Sequence, residues 1–468
     1  MLRAILTPFQ HFASEVWHWT TQHSLALFTA LFLFRYIRAI SNLLAARFLY
    51  KPIPISATPM YTTRDVTVVI STTSLSQRGI HSVIRSILAH DIPSLILTTS
   101  GMRIASQIAN FNATFTDPRI TVLREVDVPN IRRQVLAAMP RVKTPFFVRQ
   151  DDHTDWPQNV DFIPSLLAPL ENEKVAAVGP VAEACRTVCP VSFKGFGDFI
   201  GRAYLQGRSR EFRASTSIDG GISCLEGRFG LFRTSVFTDQ EFIHAYTNEY
   251  YTEWWGYGKR RGPLNADDDI FHTKWIFKKG WSIKIQAGRE SVLISELGRW
   301  PQYFEQTLRW SRTGWRTNAK ELTGDLWRWR RFPYSFYAVV VYAWGKNSLL
   351  HDICLFVLLG AFSGGREEEV EWWIVWYLLL AAWIVGVRVV KIFPLLWREP
   401  RDVIYVPGYL VWIYVNALIR IYAFWTCGKT EWRTVEEAMM SPGRRVTFED
   451  EEDETWMERD SLLAGRSP

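Results

Sequence analysis

Phe146-Phe147-Val148-Arg149-Gln150-Asp151-Asp152-His153 decides how this chain is read: an apolar run with the character of a buried strand ends in acidic residues. Carboxylates at the carboxyl end of a strand can hold a divalent cation while leaving positions open for phosphate oxygens. An acidic pair after a strand is equally an ordinary loop cap, so the stretch alone leaves both readings open. Working outward, Val66-Thr67-Val68-Val69-Ile70 is another buried-strand run, Ser94 to Leu97 a further one, and Ile80 to Leu88 between them has the period of an amphipathic helix. Strands alternating with helices predict an α/β domain over residues 65–325, built on a mostly parallel sheet with ligands at the carboxyl ends of its strands.

Two further clusters lie downstream in this domain. Asn265-Ala266-Asp267-Asp268-Asp269 precedes the apolar-basic helical pattern Thr273 to Lys279. Helix capping and the helix dipole account for one aspartate there. Three in a row also fit a general base, because a carboxylate among like charges holds its proton more tightly and can accept one from an attacking hydroxyl. Gln306-Thr307-Leu308-Arg309-Trp310 follows, in a basic aromatic setting with Arg312, Trp315 and Arg316. On a helix Gln306, Arg309 and Trp310 share one side, which offers a guanidinium to a diphosphate and an indole wall to a sugar. An interfacial amphipathic helix is the alternative.

The flanks have a different texture. Leu25 to Phe34 is apolar, lacks a small-residue cleavage site and is followed by Arg35, Arg38, Arg47 and Lys51, so residues 1–64 read as a membrane anchor that leaves the next domain in the cytosol. Later, Tyr337 to Leu359, Trp372 to Val390 and Val403 to Trp425 each approach the roughly 20 residues of a membrane-spanning helix. Lys346, His351 and Asp352 interrupt the first of these blocks, and an interfacial or re-entrant path for one block is the alternative. No paired charge or inverted repeat of the transporter kind is legible in them. Residues 326–432 therefore read as interfacial and transmembrane helices, and residues 433–468, with the acidic run Glu449 to Glu454, as a disordered tail.

Composition narrows the partners. Of 468 residues 22 are tryptophan, many beside arginine as in Trp327-Arg328-Trp329-Arg330-Arg331, a pairing that suits a membrane–water interface. The net charge of +7 serves an anionic donor or anionic lipid, and no nucleic-acid-binding motif is present. Five scattered cysteines do not make a disulfide framework, and Cys185 with Cys189 lacks a second ligand pair for zinc. The glycosylation sequon Asn112-Ala113-Thr114 is expected to stay unmodified in a cytosolic domain.

In residue type and order, Asp151 onward, Asp268-Asp269 with Thr273, and Gln306-x-x-Arg309-Trp310 resemble the motifs of family 2 glycosyltransferases such as cellulose and hyaluronan synthases, most of all a fungal polysaccharide synthase branch. The resemblance covers about Asp65 to Trp432. It implies a GT-A-like nucleotide-sugar-binding α/β domain with transmembrane α-helices, in a plasma membrane or endomembrane and in contact with membrane lipids. The implied activity is inverting transfer from a nucleotide-sugar donor, a UDP-sugar, to a growing cell-wall or extracellular glycan. Transfer of a single sugar to a lipid or small-molecule acceptor is the alternative.

By the same resemblance Asp151 and His153 stand at the metal-binding D-x-D pair for Mn2+ or Mg2+, with Asp152 between them. Asp269 stands at the catalytic base beside Asp268, Arg132 and Arg133 at a basic pair for the donor, and Gln306, Arg309 and Trp310 at the diphosphate and acceptor. Ser223-Cys224-Leu225-Glu226-Gly227-Arg228 resembles the acceptor-side loop, which adds Cys224, Glu226, Gly227 and Arg228, and Trp432 resembles a tryptophan after the last membrane helix. Two departures stand out. His153 replaces an aspartate, and the softer imidazole tilts the site toward manganese. Thr98-Thr99-Ser100-Gly101 stands where an aspartate usually meets the nucleotide, leaving hydroxyls to bind uracil or ribose.

Overall fold

The β-branched and aromatic runs form the strands they predict. A computed structural model describes residues 14–430, apart from 77, 101–103, 125–129, 185, 187–190, 253–257, 266, 296, 298–301, 325, 346 and 364–369. Gly101, Cys185, Cys189, Lys346, Trp432 and the acidic tail thus lie outside the described residues. The strands are β1 (Val66–Thr72), β2 (Ser94–Thr99), β3 (Ile120–Arg124), β4 (Phe146–Gln150), β5 (Thr154–Asp155), β6 (Val175–Glu183), β7 (Phe229–Arg233), β8 (Tyr251–Thr252), β9 (Arg260–Arg261), β10 (Ser282–Gln286) and β11 (Val292–Ser295). Nine of them make one sheet in the order β3-β2-β1-β4-β7-β6-β11-β5, with β10 also paired to β6.

Val68 of β1 faces Leu95 of β2 and Val148 of β4 in parallel register, while β7 runs antiparallel between β4 and β6. The sheet is therefore mixed but mostly parallel. Alternate residues serve its two faces: Val66, Val68 and Ile70 pack with Ile84 and Ile87 on one side, and Val69, Ile96 and Phe147 with Val135 and Phe237 on the other. Burial on both faces is why these strands read as continuous apolar runs.

The helices that frame the site and the membrane region are α1 (Ser24–Leu44), α2 (Arg78–Leu88), α3 (Ile104–Thr114), α4 (Ile131–Ala138), α5 (Phe193–Ile218), α6 (Asp268–Lys278), α7 (Gln302–Gly324), α8 (Ser348–Ser363), α9 (Val370–Arg398) and α10 (Val406–Trp425). Because β1, β2 and β4 are parallel, their carboxyl ends open on one edge. Buried Gln134 of α4 ties two of those ends together, its amide donating to the carbonyls of Thr72 and Thr98 at 3.1 and 3.0 Å. Asn112 lies exposed on α3.

Among the described residues three segments are long and apolar enough to cross a membrane: Ser24–Leu49, Trp372–Arg398 and Pro400–Trp425. The block expected over Tyr337 to Leu359 is not one continuous helix. A π-helical turn at Phe336–Val341 and a short turn at Tyr342–Gly345 give way to α8, which starts afresh after Asn347. The Asn347 side chain accepts from the Leu350 amide at 3.1 Å and donates to the Ala417 carbonyl of α10 at 2.9 Å. The 16 residues of α8 rise about 24 Å, short of a hydrocarbon core of roughly 30 Å.

The late helices do carry paired buried charge, against the sequence expectation. Asp352 of α8 is shared by Arg35 of α1 and Arg388 of α9, and Tyr414 of α10 donates to it at 3.0 Å. Long-range pairing of this kind has no periodicity to betray it in one sequence. Two of the three arginines of Trp327 to Arg331 also depart from an outward, headgroup-facing role. Arg328 is buried against Glu321 and the Ile222 carbonyl, and Arg331 donates to the carbonyls of Phe277, Gly280 and Trp281 at the end of α6.

Candidate active site

Arg149 is a cation in a fully buried strand, and such a charge persists only when paired. Its guanidinium meets Asp151 at 3.1 Å, Asp268 at 2.7 Å and the carbonyl of Gly227. One side chain thus joins the end of β4, the start of α6 and the loop before β7. Gly227 permits this approach, since a Cβ there would stand 2.8 Å from the Arg149 Nη1. Sequence alone assigns Arg149 no role. A charged residue inside an apolar strand was the available signal.

The three aspartates divide their work. Asp267, with a left-handed φ of 62°, does not cap α6; its carboxylate receives both Nη2 and Nε of Arg316 at 2.8 to 3.1 Å and the Thr313 hydroxyl at 2.7 Å, which locks α6 to α7. Burial pushes the Asp268 carboxyl up, but Arg149, His272, Arg132 and the Asp269 amide together outweigh it and hold Asp268 below the usual carboxylate range. Asp269 goes the other way. Burial, then the charges of Asp268 and Asp267, push its carboxyl up to about 7, against weaker opposition from Arg149 and the Ile270 amide. A carboxyl poised near neutrality can exchange a proton with a substrate hydroxyl.

The loop Ile222 to Arg228 lies against this helix. The Thr273 hydroxyl donates to the Asp269 carbonyl at 2.9 Å and accepts from the Leu225 amide at 2.7 Å. Arg208 of α5 braces the loop through the Ser223 hydroxyl at 2.9 Å and the Cys224 sulfur at 3.4 Å. Burial, with the charge of Asp269, pushes the Cys224 thiol up to about 12, so it serves as a neutral wall and not as a nucleophile. Glu226 pairs with Arg228 at 2.9 Å. Arg228 lies over the Trp310 ring at 5.9 Å, and Trp310 stacks on Tyr204 with centroids 4.9 Å apart and planes 12° apart. Tyr204 and Arg208 were not legible beforehand, because α5 offers no distinctive spacing.

Gln306, Arg309 and Trp310 do share α7. The buried Gln306 Oε1 has no protein partner. The opposite side of α7 docks on the membrane region, through Arg312 to Thr426 at 3.0 Å and Trp315 to the Arg420 carbonyl at 2.8 Å. Arg133 is exposed, whereas Arg132 is buried and committed to the Tyr246 carbonyl and Glu249, both at 2.7 Å. Arg132 also lies over the Phe271 ring of α6 at 5.3 Å.

At the strand ends, Asp152 accepts from the Thr72 hydroxyl at 2.6 Å and meets His153 Nδ1 at 3.3 Å. Burial raises the Asp152 carboxyl, but His153 and Thr72 together hold it below the usual range. Desolvation lowers the His153 imidazole, yet its bond to Asp152 and the charges of Asp151 and Asp152 outweigh this and raise it. Among the described residues no three His, Cys, Asp or Glu side chains form a cluster that holds a metal ion unaided. Asp151 and His153 are 27% and 51% exposed, and a carboxylate on Nδ1 is the partner that fixes a ligating histidine, so the pair fits a cation completed by substrate oxygens. Thr98 and Thr99 spend their hydroxyls on the carbonyls of Ile70 and Leu123 at 3.3 and 3.2 Å, while the Ser100 Oγ is buried without a protein partner.

Residues 64–313 match the family model described as "Glycosyltransferase like family 2". A "Type 2 glycosyltransferase" of Zymoseptoria tritici is 31% identical over 92% of this chain and 86% of its own, and one of Pyricularia oryzae is 32% identical over 86% and 81%. The solved mannosyltransferase PcManGT from Pyrobaculum calidifontis, in complex with GDP-Man and Mn2+, has a TM-score of 0.50 at 14% identity, over 85% of this chain and 99% of that one. That likeness shows a shared GT-A fold. Matched by the family model across more than half of its length, and by fungal relatives across most of the rest, this chain belongs to the family 2 glycosyltransferases.

Proposed function

We propose that the chain is a membrane-embedded, inverting glycosyltransferase that moves a sugar from a nucleotide diphosphate sugar, a UDP-sugar, onto a growing glycan of the cell wall or cell exterior. The observation that carries this reading is the Asp269 carboxyl, pushed up to about 7 and held one helical turn from the residue that anchors the loop 222–228. In its ionised form Asp269 takes the acceptor hydroxyl's proton as the oxygen attacks the anomeric carbon. A single displacement of this kind inverts that carbon. Asp268 stays ionised on Arg149, so it keeps the neighbouring charge that makes Asp269 basic.

The stacked Trp310 and Tyr204, with Arg228 and Glu226 beside them, offer a flat face and polar rim for the acceptor sugar. Gln306 and Arg309 serve the donor diphosphate, with Arg133 as a further exposed cation nearby in sequence to the donor strands. Ser100 offers its unpaired hydroxyl to the nucleoside. Asp151 and His153 would hold a divalent cation, which supplies charge neutralisation to the departing diphosphate. The catalytic domain faces the cytosol, where nucleotide sugars are the substrate.

Transfer of one sugar to a lipid or small molecule is a second reading, favoured by the break of the block Tyr337 to Leu359, which leaves three long helices to shape any channel. The experiment is a panel of nucleotide sugars given to the purified chain in lipid with and without Mn2+, followed by sizing of the product. A cation-dependent ladder supports polymerisation, a single product supports the second reading, and no turnover of any donor refutes both.

A further inference from the structure

α1 is uncharged from Ser24 to Phe34 and α9 from Trp372 to Val387, and both turn cationic at the same end, at Arg35 and Arg38 and at Arg388 and Lys391. That end enters the catalytic domain, because the continuation of α1 at Ala45–Leu49 packs on α5. Arg210 of α5 reaches the same place and donates to the Lys391 carbonyl at 2.7 Å. The Lys391 ammonium lies within electrostatic reach of Arg35, Arg38, Arg210 and Arg388.

Two carboxylates face this group, and both pair with its arginines. Asp352 is shared by Arg35 and Arg388, and Glu211 by Arg38 and Arg208. Among the described residues neither pairs with Lys391. Five cations less two carboxylates leave a formal net charge of +3 where α1 and α9 meet α5 of the catalytic domain. Crowded like charge of low exposure calls for a counter-ion, and among the described residues no third carboxylate pairs with these cations.

We propose that Arg35, Arg38, Arg210, Arg388 and Lys391 form a binding site for the phosphate-bearing headgroup of an anionic membrane lipid. A phosphate can accept from several guanidinium and ammonium donors at once, and the lipid's tails run along the exposed apolar side of α9, past Val385 and Leu378. A lipid is favoured over a free ion because the cations gather where two membrane-length segments meet α5 of the catalytic domain.

The test uses the full chain in phosphatidylcholine nanodiscs with and without phosphatidic acid. Lipids retained on release are counted by native mass spectrometry, and melting is followed in parallel. The wild type is expected to retain phosphatidic acid at least tenfold beyond its share of the bilayer and to melt higher with it. Lys391→Met is expected to lower that preference about fivefold, as removal of one cation near a charged headgroup does, and Lys391→Arg to keep it. Arg210→Gln, on the soluble side, gives the same loss by a second route if Lys391→Met fails to fold. No preference in the wild type, or an unchanged preference in folded Lys391→Met and Arg210→Gln, overturns the proposal. An equal rise in melting with inorganic phosphate alone overturns the assignment to lipid. The site rests on the membrane reading: failure to enter a bilayer overturns both, while entry without anionic preference overturns only the site.

Discussion

Asp269→Asn separates the two consequences of a buried, crowded carboxyl. Raising this group from an ordinary 3.8 to about 7 means that holding it ionised at pH 8 costs the fold on the order of 4 kcal/mol relative to the unfolded chain. The sign follows from proton binding. The folded state keeps the proton more tightly, so the penalty is near zero below pH 4, grows as pH rises, and is complete above about 7. Asparagine has the same shape and no charge to bury. The variant is therefore expected to be more stable than wild type at pH 8, by up to ~4 kcal/mol or roughly 4 °C in melting temperature for a chain of this size. Near pH 4 the gain shrinks to a small fraction of that, because the carboxyl is then protonated in the folded state and partly so in the unfolded one. Turnover moves oppositely, falling about a thousandfold with loss of the base, while wild-type kcat/KM climbs with pH and levels off above about 7. Nucleoside diphosphate release measured from pH 5 to 9, beside thermal melts in the same buffers, reads both. An asparagine variant that turns over like wild type, or one equally destabilised at pH 5 and pH 8, refutes the reasoning.

Arg149→Met leaves Asp268 buried without its main counter-charge and is expected to cost about 3 to 5 kcal/mol of stability, measured by denaturant unfolding of the solubilised chain. Arg149→Lys should recover little of it, since an ammonium cannot span Asp151, Asp268 and the Gly227 carbonyl. Trp310→Ala removes the ring stacked on Tyr204 and is expected to raise the acceptor KM about tenfold with a smaller effect on the donor KM, read by varying each substrate in turn. His153→Asp exchanges a soft ligand for a hard one, and the ratio of Mg2+-supported to Mn2+-supported turnover is expected to rise several-fold.

Elements with local signals were legible from the residues. β4 could be read because its three apolar residues, Phe146, Phe147 and Val148, alternate between two buried faces and acidic residues follow the strand at once. α7 could be read because Gln306, Arg309 and Trp310 fall on one helical side. What escaped notice depends on partners far away in the chain. Arg149 becomes a hub only when α6 arrives 119 residues later, and Asp267 looks like a helix cap until Arg316 is seen to hold it. Asp352 was read as an interruption of an apolar block, whereas its partners Arg35 and Arg388 make it a lock between helices. Arg328 looked interfacial from its tryptophan neighbours, and Glu321 with the Ile222 carbonyl turns it inward.

A single displacement assisted by Asp269 fixes the stereochemistry of the proposed transfer. Proton NMR of the first product formed, before any equilibration of the anomers, reads it. Inversion is expected, a new linkage with anomeric configuration opposite to that of the sugar in its nucleotide donor. Retention of the donor's configuration would overturn the proposal.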